Sequence, residues 1–358
     1  MEDHKRKSQA GTATEENKKA RVESHSKHTE PASITIPNDG DALLLKLAHS
    51  RAMSIKTRDE IIFSAQRDDN LCKVFKGLCD KKFLSVPVFT QGDRKKWLSF
   101  IDIFDIVKYV NHHFGKEKMS PEHDFWKLSQ ESEQFQGLRV DDVMSFPTKE
   151  NKFHPITQDY SLLSVVEIMA RDQHAHHIPI LNNMKERHLV SILTMSQMVK
   201  YVHDNLQYLG TKKDLLVSEM RGLCNDGDIV TVPTTMITID AFKLMEEKNI
   251  SGLAVVDDKG VLVDTLSTRD LKAMATDGSL FWKLYRPVSA FLDFIKKDAN
   301  TIRPRHAIFA LKTDTFESVL NKIFTNEVHR IFIVDHADTK KPIGVVSLGD
   351  LLLQILPI

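Results

Sequence analysis

Apolar and polar residues follow one another in a succession that occurs four times along the chain. Each copy begins with apolar residues spaced i, i+3, i+4 and i+7, which predicts an amphipathic helix. A short apolar run then predicts a buried strand, and after a polar turn a second apolar run leads into another helix. Each copy thus predicts helix, strand, turn, strand and helix. The first-helix positions are Leu71, Val74, Phe75 and Leu78; Leu162, Val165, Val166 and Met169; Thr238, Ala241, Phe242 and Met245; and Phe316, Val319, Leu320 and Ile323.

The four copies keep a common register. One position, which we call the gate, lies just before the first strand of each copy, and a second position starts its final helix. The two positions lie 21 residues apart in three copies and 19 in the other, an agreement that unrelated segments would not keep. The gate residues are Leu84, His176, Ser251 and His329, and the helix-start residues are Asp105, Gln197, Asp270 and Asp350.

Segments outside the four copies differ in composition. Residues 1–41 are rich in charged and small polar side chains, which predicts a disordered tail. Basic clusters at 6–7 and 18–21 have the layout of a bipartite nuclear import signal, although a solvated charged tail gives the same pattern. Residues 114–137, interrupted by a proline, predict a long linker. The aromatic-rich stretch at 280–295 fits buried core better than a partner surface.

Charge and composition exclude several classes of function. Lys plus Arg and Asp plus Glu both number 49, so no net positive charge gathers nucleic acid. Three cysteines are too few for a disulfide framework or a four-thiolate zinc site, which indicates reduced thiols inside a cell. No apolar run approaches the ~18 residues that span a bilayer. The sequence therefore predicts a cytoplasmic or nuclear protein that binds neither nucleic acid nor membrane.

The helix starts of copies 3 and 4 carry candidate chemistry. Ser267 precedes Asp270 by three residues, as Ser347 precedes Asp350, and at this spacing a serine caps free amides while the aspartate lies in the first turn. Capping alone accounts for the spacing in one copy. Recurrence in a common register favours a ligand site, because a helix N-terminus attracts an anion and a nearby carboxylate can accept both hydroxyls of a ribose.

At these residues the chain resembles tandem cystathionine-beta-synthase (CBS) domains, and among them the four-repeat gamma subunits of AMP-activated protein kinase. The resemblance covers roughly residues 43–358 and is most specific in copy 4, in EVHRIFIVD and PIGVVSLGDLL. It implies an α/β (α+β) fold in which four CBS repeats pair into two modules of a disc-like assembly. The modules would span residues 43–208 and 213–358, with repeats at about 43–113, 138–208, 213–279 and 287–358.

The resemblance also implies which residues bind an adenine nucleotide. Asp270 and Asp350 would hold the ribose diol. His329 and Arg330 would face phosphate oxygens, which the planar guanidinium suits, although both could simply be partly exposed residues at a strand edge. AMP, ADP or ATP would bind as a regulatory ligand, and no catalytic cofactor is expected. The other predicted nucleotide-binding residues are Ser267, Ser347, Thr194, His176, Ser251, Arg269 and Asp105.

Several positions depart from the pattern of the gamma subunit. Gln197 replaces the carboxylate of repeat 2, which predicts an empty ribose site there. Asp102 adds negative charge beside Asp105 where a phosphate would approach, so we expect weak or no binding at repeat 1. Leu84 and His177 replace two arginines, so two permanent positive charges are lost. Discrimination among AMP, ADP and ATP does not follow from the resemblance.

Metal and catalytic sites are not expected. His174 and His176 would share one face of a strand, but no carboxylate or cysteine lies at ligand spacing. The sequence has no P-loop, dinucleotide fingerprint, zinc-protease helix or nucleophile elbow. Since the repeats occupy nearly all of the chain predicted to be ordered, we predict a protein that is not an enzyme and rank a hydrolytic activity last.

Two hypotheses of function remain. The favoured one is a gamma-like regulatory subunit that senses cellular energy state by binding adenine nucleotides, with a protein kinase catalytic subunit and a beta-type scaffold subunit as partners. The alternative is a CBS-domain scaffold that has kept the fold and lost nucleotide sensing, as Leu84, Asp102 and Gln197 indicate. Partner binding would depend on nucleotide in the first case and be indifferent to it in the second.

Overall fold

The fold is that of a computed structural model. The predicted tail with its import motif, most of the predicted linker and His174 lie outside the described residues, and the interpretations that depend on them stay predictions. The structure describes residues 42–55, 63–114, 136–146, 154–172, 175–223, 229–275, 280–297 and 306–357.

The described strands form four three-stranded sheets, one in each repeat. In every sheet a short first strand pairs in parallel with the second, which pairs antiparallel with the third. The sequence predicted the second and third strands but not the first, because two or three residues are too short to show a period. The strands are β1 (Ala65–Gln66), β2 (Ser85–Thr90), β3 (Asp93–Asp102), β4 (Ile156–Thr157), β5 (His177–Leu181), β6 (Leu189–Thr194), β7 (Thr231–Pro233), β8 (Gly252–Val256), β9 (Leu262–Ser267), β10 (Phe309–Leu311), β11 (Arg330–Val334) and β12 (Pro342–Ser347).

Helices flank each sheet, and the predicted apolar face of each first helix is buried. Asn70, Ser161 and Thr315 cap three of these helices by accepting a hydrogen bond from the backbone N–H three residues later. The α-helices are α1 (Ala42–His49), α2 (Leu71–Asp80), α3 (Ile103–Phe114), α4 (Val140–Met144), α5 (Leu162–Arg171), α6 (Met195–His203), α7 (Thr238–Glu247), α8 (Leu280–Lys283), α9 (Val288–Lys297), α10 (Phe316–Thr325) and α11 (Leu348–Ile355).

The final helix of repeat 3 differs from the prediction. Repeats 1, 2 and 4 end in the α-helices α3, α6 and α11, whereas repeat 3 ends in a 3₁₀ helix at Thr268–Ala275. A 3₁₀ helix has about three residues per turn, so side chains three apart lie directly above one another. This geometry sets the direction of the basic side chains of repeat 3.

Backbone hydrogen bonds make the four gates structurally equivalent. The gate carbonyl oxygens of Leu84 and His176 accept from the first amide of the final helix, at 2.8 and 3.0 Å. Those of Ser251 and His329 do the same, at 3.1 and 3.2 Å. The predicted register is therefore confirmed between gate and helix start.

The segment that precedes each repeat packs against the other repeat of its sequential pair. Helix α1 packs on α5 of repeat 2, while α4 leads into repeat 1 through a hydrogen bond from Val140 N to Asp69 O at 3.0 Å. In the second half of the chain, Val217 N donates to Asp314 O of repeat 4 at 2.9 Å, and α9 packs on α7 of repeat 3. Repeats 1 and 2 thus exchange their opening segments, and so do repeats 3 and 4.

Two large apolar cores join repeats that are not adjacent in sequence. One contains buried side chains of repeats 1 and 3, and the other contains buried side chains of repeats 2 and 4. Smaller clusters connect the sheets of repeats 1 and 2 and those of repeats 3 and 4. The stretch at 280–295 belongs to the first large core through Leu284, Val288, Phe291 and Ile295, each at most 1% exposed. The core interpretation of that stretch is therefore confirmed. Within the described ranges, every helix is too short or too polar to cross a membrane.

Candidate functional site

A side chain closes the start of the final helix in all four repeats. In repeat 4, Ser347 Oγ accepts from Asp350 N at 3.3 Å, and Asp350 Oδ2 accepts from Ser347 N at 2.8 Å. Thr194 and Gln197 form the same reciprocal box in repeat 2, at 3.2 and 2.8 Å. Each box satisfies amides that the helix leaves unpaired. These residues therefore cap the helices, and a role in ligand binding has to rest on other observations.

The two candidate ribose carboxylates are buried. Asp350 is 6% exposed and Asp270 is 9% exposed. Desolvation raises the pKa of Asp350, which the hydrogen bonds from Ser347 and the nearby charge of Arg330 partly oppose. In repeat 3, Asp270 Oδ2 accepts from Ser267 N at 2.7 Å and from Ser267 Oγ at 3.3 Å. One oxygen of each carboxylate therefore serves the cap.

Arg330 lies between the helix starts of repeats 3 and 4. Its guanidinium donates to the carbonyl oxygen of Gly252 at 3.3 Å and to the hydroxyl of Ser251. Burial lowers the pKa of Arg330 to about 10, while the negative charges of Asp350 and Asp270 act to raise it. The Nε atom of Arg330 is buried without a hydrogen-bond partner among the described residues, so the protein pairs this guanidinium incompletely.

Gly252 makes room for that guanidinium. A Cβ added at Gly252 would lie 2.8 Å from Cζ, Nε and Nη1 of Arg330. Gly252 occupies in repeat 3 the register position of Arg330 in repeat 4, since each is the first residue of its second strand and pairs with a cap serine, Ser267 or Ser347. The sheets of repeats 3 and 4 therefore place an arginine and a glycine at equivalent positions against each other.

Six basic side chains from repeats 2, 3 and 4 interact electrostatically with one another around His329 and His177, and we call them the basic cluster. Burial is the largest cause of the lowered pKa of His329, followed by the positive charges of Arg269 and Arg330. Burial and then the charges of His176 and Lys272 lower the pKa of His177 to about 3. Groups that disfavour one another's protonation in this way form a site that an anion would stabilise. The basic cluster comprises His176, His177, Arg269, Lys272, His329 and Arg330.

Hydrogen bonds connect the basic cluster across the repeats. His329 Nε2 lies 3.0 Å from the hydroxyl oxygen of Ser196, in the first turn of α6 of repeat 2. Arg269 donates to the carbonyl oxygen of Glu327, just before the repeat 4 gate. The N-terminus of α6 thus faces the same region, and its dipole adds to the attraction for an anion.

The equivalent positions of repeats 1 and 2 are arranged differently. Asp105 Oδ1 lies 3.4 Å from Lys108 Nζ, and both side chains are mostly buried, at 8 and 13% exposed. Its other oxygen accepts from Asp102 N at 3.2 Å. At the register position of Arg330, repeat 1 has Ser85 and repeat 2 has His177, and Ser85 Oγ lies 3.2 Å from His177 Nε2. The Asp105 carboxylate is therefore already engaged by a cation of its own repeat.

The structure brings most of the predicted site residues together. Ser251, Arg269, His329, Arg330 and the two aspartates with their cap serines lie at or beside the basic cluster, and His176 acts on it through its charge. Thr194 lies in the cap of α6, where its hydroxyl donates to Gln197 Oε1 at 3.0 Å. Asp105 lies in the other half of the molecule. The described residues contain no group of His, Cys, Asp and Glu side chains arranged for a metal ion.

Sequence reasoning missed Lys272. The signal was present in the register: two residues after the helix-start position, the other repeats have Val107, Val199 and Leu352. These three side chains are at most 4% exposed. A lysine aligned with three buried aliphatic residues is an anomaly that the repeat alignment could have detected.

Comparison with known proteins agrees with the resemblance seen in the sequence. The sequence model of the CBS domain matches residues 219–275 and 301–357, which are parts of repeats 3 and 4. The 5'-AMP-activated protein kinase subunit gamma of Dictyostelium discoideum is 26% identical over 51% of this chain and 31% of its own length. Protein SDS23 of Candida glabrata is 24% identical over 73% of this chain and 49% of its own length. The matched part of this chain thus spans half or less of each of these relatives.

A solved structure has the same fold. Protein MJ1225 of Methanocaldococcus jannaschii, described as a proposed archaeal homolog of g-AMPK, superposes with a TM-score of 0.62. The match covers 84% of this chain and 98% of that protein, at 16% sequence identity. At this level of identity the comparison shows a shared fold alone, and that fold covers most of the chain.

Proposed function

We propose that this chain, a CBS-domain protein that resembles the gamma subunit of AMP-activated protein kinase, is a regulatory protein that binds adenine nucleotides between repeats 3 and 4. One observation carries the proposal: the buried carboxylates of Asp270 and Asp350 flank the guanidinium of Arg330. Carboxylates suit the ribose hydroxyls, and a guanidinium that the protein pairs incompletely suits a phosphate. AMP, ADP and ATP offer both groups.

Binding should be restricted to the half of the molecule that contains repeats 3 and 4. In repeat 1 the ribose carboxylate is engaged by Lys108, and in repeat 2 it is replaced by Gln197, whose oxygen caps the backbone. The positive charge of the basic cluster comes mainly from Arg269, Lys272 and Arg330 of repeats 3 and 4, and the charge of Lys272 acts on His177 of repeat 2. A phosphate chain would therefore extend toward repeat 2 while its ribose stays with repeat 3 or 4. Nucleotide binding could then alter how the two halves hold a partner.

Calorimetric titration of the full chain with AMP, ADP and ATP tests this proposal. A hydrogen bond to a charged group contributes about 1.5–3 kcal/mol, so Asp350→Ala or Asp270→Ala should weaken binding roughly 10- to 150-fold. Asp105→Ala is the matched control, because it removes a helix-start carboxylate that Lys108 already engages, and its affinity should match that of the wild type. Unchanged affinity in the first two variants, with a loss of only about 1 kcal/mol of stability, would reduce both aspartates to caps.

The partners proposed for this function are a protein kinase catalytic subunit and a beta-type scaffold subunit. Support comes from the likeness to kinase gamma subunits of Dictyostelium and of Saccharomyces cerevisiae, which covers about half of this chain. Co-purification of the full chain with recombinant catalytic and beta-type subunits, with and without AMP, would test it. A complex that forms only with those subunits and changes stability with nucleotide is the expected result.

A scaffold without nucleotide sensing is the second candidate. It is favoured by the engaged carboxylate of repeat 1 and by SDS23, a relative that aligns over more of this chain than the gamma subunits do. A folded wild-type chain that gives no heat with any of the three nucleotides, yet binds a partner, would support this candidate. We also propose that the protein acts in the cytoplasm or nucleus, which localisation of the tagged full chain would test.

A further inference from the structure

Lys272 is a lysine at a position built for an aliphatic side chain. The three equivalent residues, Val107, Val199 and Leu352, are 2, 4 and 0% exposed. Lys272 itself is only partly exposed, in a helix that packs against α2 and α3 of repeat 1. Partial burial of an ammonium group opposes folding unless some interaction compensates it. A positive charge at Lys272 is therefore expected to have an interaction that offsets its partial burial.

The 3₁₀ helix aligns Lys272 with Arg269. The two residues are three positions apart in Thr268–Ala275. At about three residues per turn their side chains leave the same edge of the helix, whereas an α-helix would offset them by about 60°. Two like charges on one edge repel each other, and the charge of Arg269 indeed helps to lower the pKa of Lys272. Repeat 3 therefore presents a pair of cations on one edge.

No protein group neutralises Lys272 among the described residues. Its ammonium group makes no hydrogen bond or ion pair in that part of the chain. Arg269 differs, because it donates to the carbonyl oxygen of Glu327 and the negative charges of Asp270 and Glu327 act to raise its pKa. The charge of Lys272 acts instead on His177 of repeat 2 and His329 of repeat 4, lowering the pKa of each. The charge that acts on Lys272 is that of Arg269, a like charge, so a ligand anion would supply the counter-charge that Lys272 lacks among the described residues.

The charge of Lys272 also lies beyond the group proposed for the first phosphate. Asp270 and Asp350 act on Arg330, which places that guanidinium next to the ribose positions. Lys272 acts on His177, which belongs to the other sequential pair of repeats. Positive charge thus extends from Arg330, on the side of the two aspartates, to Lys272, on the side of repeat 2.

We propose that Lys272, aligned with Arg269 on the 3₁₀ helix of repeat 3, binds the terminal phosphates of a nucleoside di- or triphosphate and makes the site prefer ATP and ADP over AMP. The inference rests on the proposed nucleotide function. Lys272 of repeat 3 would then supply positive charge that is missing at Leu84 and His177, where the gamma subunit has arginines. Lys272 is here a specificity-determining residue, since AMP lacks the β- and γ-phosphates that Lys272 would contact.

Calorimetric titration of the full chain compares AMP with ATP in three variants. Lys272→Met removes the charge but keeps the length, and ATP affinity should fall about 10-fold or more while AMP affinity changes less than about 3-fold. Lys272→Arg keeps the charge and should keep the preference for ATP. Lys259→Met is the matched control, an exposed lysine of the same repeat, and should leave both affinities unchanged. An equal loss for AMP and ATP, or no loss, would overturn the inference.

A second measurement separates this inference from the nucleotide proposal. Inorganic tripolyphosphate has the charge of the ATP phosphates without ribose or adenine. It should raise the melting temperature of the wild type, and raise that of Lys272→Met clearly less, while orthophosphate should not distinguish the two proteins. If no nucleotide binds but tripolyphosphate shows this difference, Lys272 is still an anion-binding residue and the nucleotide proposal fails. If tripolyphosphate stabilises both proteins equally, the role of Lys272 is refuted.

Discussion

The space in front of Gly252 is the feature on which the position of Arg330 depends. The guanidinium donates to the carbonyl oxygen of Gly252 and contacts the hydroxyl of Ser251. No larger residue leaves that volume free, because the first added carbon would overlap the guanidinium at 2.8 Å. A backbone position in repeat 3 therefore determines where a side chain of repeat 4 lies.

Gly252→Ala should displace Arg330 and weaken nucleotide binding about 10-fold or more, with a loss of about 1–3 kcal/mol in stability from overpacking. Gly344→Ala is the matched control. Its added carbon would lie 2.8 Å from Ile333 Cδ1, so it should lose similar stability and keep its affinity. Titration calorimetry and urea unfolding of both variants measure the two effects. A Gly252→Ala protein that folds and binds as the wild type does would show that Arg330 does not contact the nucleotide.

Part of the candidate site could be predicted residue by residue. Asp270, Asp350 and His329 occupy register positions, and a register can be read from a single sequence once the repeat is found. Lys272 could have been noticed in the same way, but its surroundings could not, because they consist of side chains from repeats 2 and 4. The need for Gly252 is likewise invisible in sequence, since it arises from a contact between two strands 78 residues apart.

At the scale of single elements, sequence pattern predicted the helices and the longer strands well. The first helices bury the face that a period of 3.6 requires, the second strands are buried along nearly their whole length, and the third strands alternate with a period of 2. Pattern failed for the first strand of each sheet, which is defined by pairing and not by period. It also failed for the 3₁₀ helix at Thr268–Ala275, because α and 3₁₀ helices have similar apolar spacing over two turns.

The charge of Lys272 in the 3₁₀ helix should lower the free energy of unfolding of the protein. Burial and then the charge of Arg269 lower the pKa of Lys272 from 10.5 to about 8. Between these pH values the unfolded chain binds the proton and the folded protein does not, so the destabilising contribution of Lys272 is complete below about pH 8 and disappears as the pH rises toward 10.5. Without ligand, Lys272→Met should therefore be more stable than the wild type by about 1–3 kcal/mol at pH 7.

Urea unfolding at pH 7, 8.5 and 10 measures this difference. It should shrink as the pH rises from about 8 toward 10.5, because the wild type loses its buried charge over that interval. Burial also raises the pKa of Cys79 and that of the partly buried Tyr285, but both proteins contain these groups, so their effects cancel in the difference. A variant that is less stable than the wild type at pH 7 would indicate that Lys272 is compensated by the protein itself.

At the scale of the whole molecule, the folded region has two kinds of connection between repeats. Opening segments are exchanged between repeats 1 and 2 and between repeats 3 and 4, while the large cores join repeat 1 to 3 and repeat 2 to 4. No repeat thus has a core of its own. Sequence pattern identified the four repeats, but it could not reveal these partners, because amphipathic faces of similar composition can pack in many combinations.

This arrangement predicts one unfolding transition for all four repeats. Ile323→Val in the core of repeats 2 and 4 removes one buried methylene and should cost about 0.5–1.5 kcal/mol. Trp97 and Trp282 lie in repeat 1 and beside repeat 3, and the measurement is made in a Trp126→Phe background, which removes the third tryptophan of the chain. Their fluorescence transition in urea should shift to lower concentration together with the far-UV circular dichroism. A fluorescence midpoint that stays constant while the dichroism shifts would mean that the two cores unfold independently.

Helix α5 receives both ends of the folded region. The first described helix, α1, and the last, α11, both pack on it. The first and last described helices are therefore neighbours in space, although 298 residues lie between His49 and Leu348. A short peptide could therefore connect the two helices. The order of the repeats along the chain is then not a requirement of the fold. A circular permutant, with a linker that joins α11 to α1 and new termini between two repeats, would retain the contacts between the repeats.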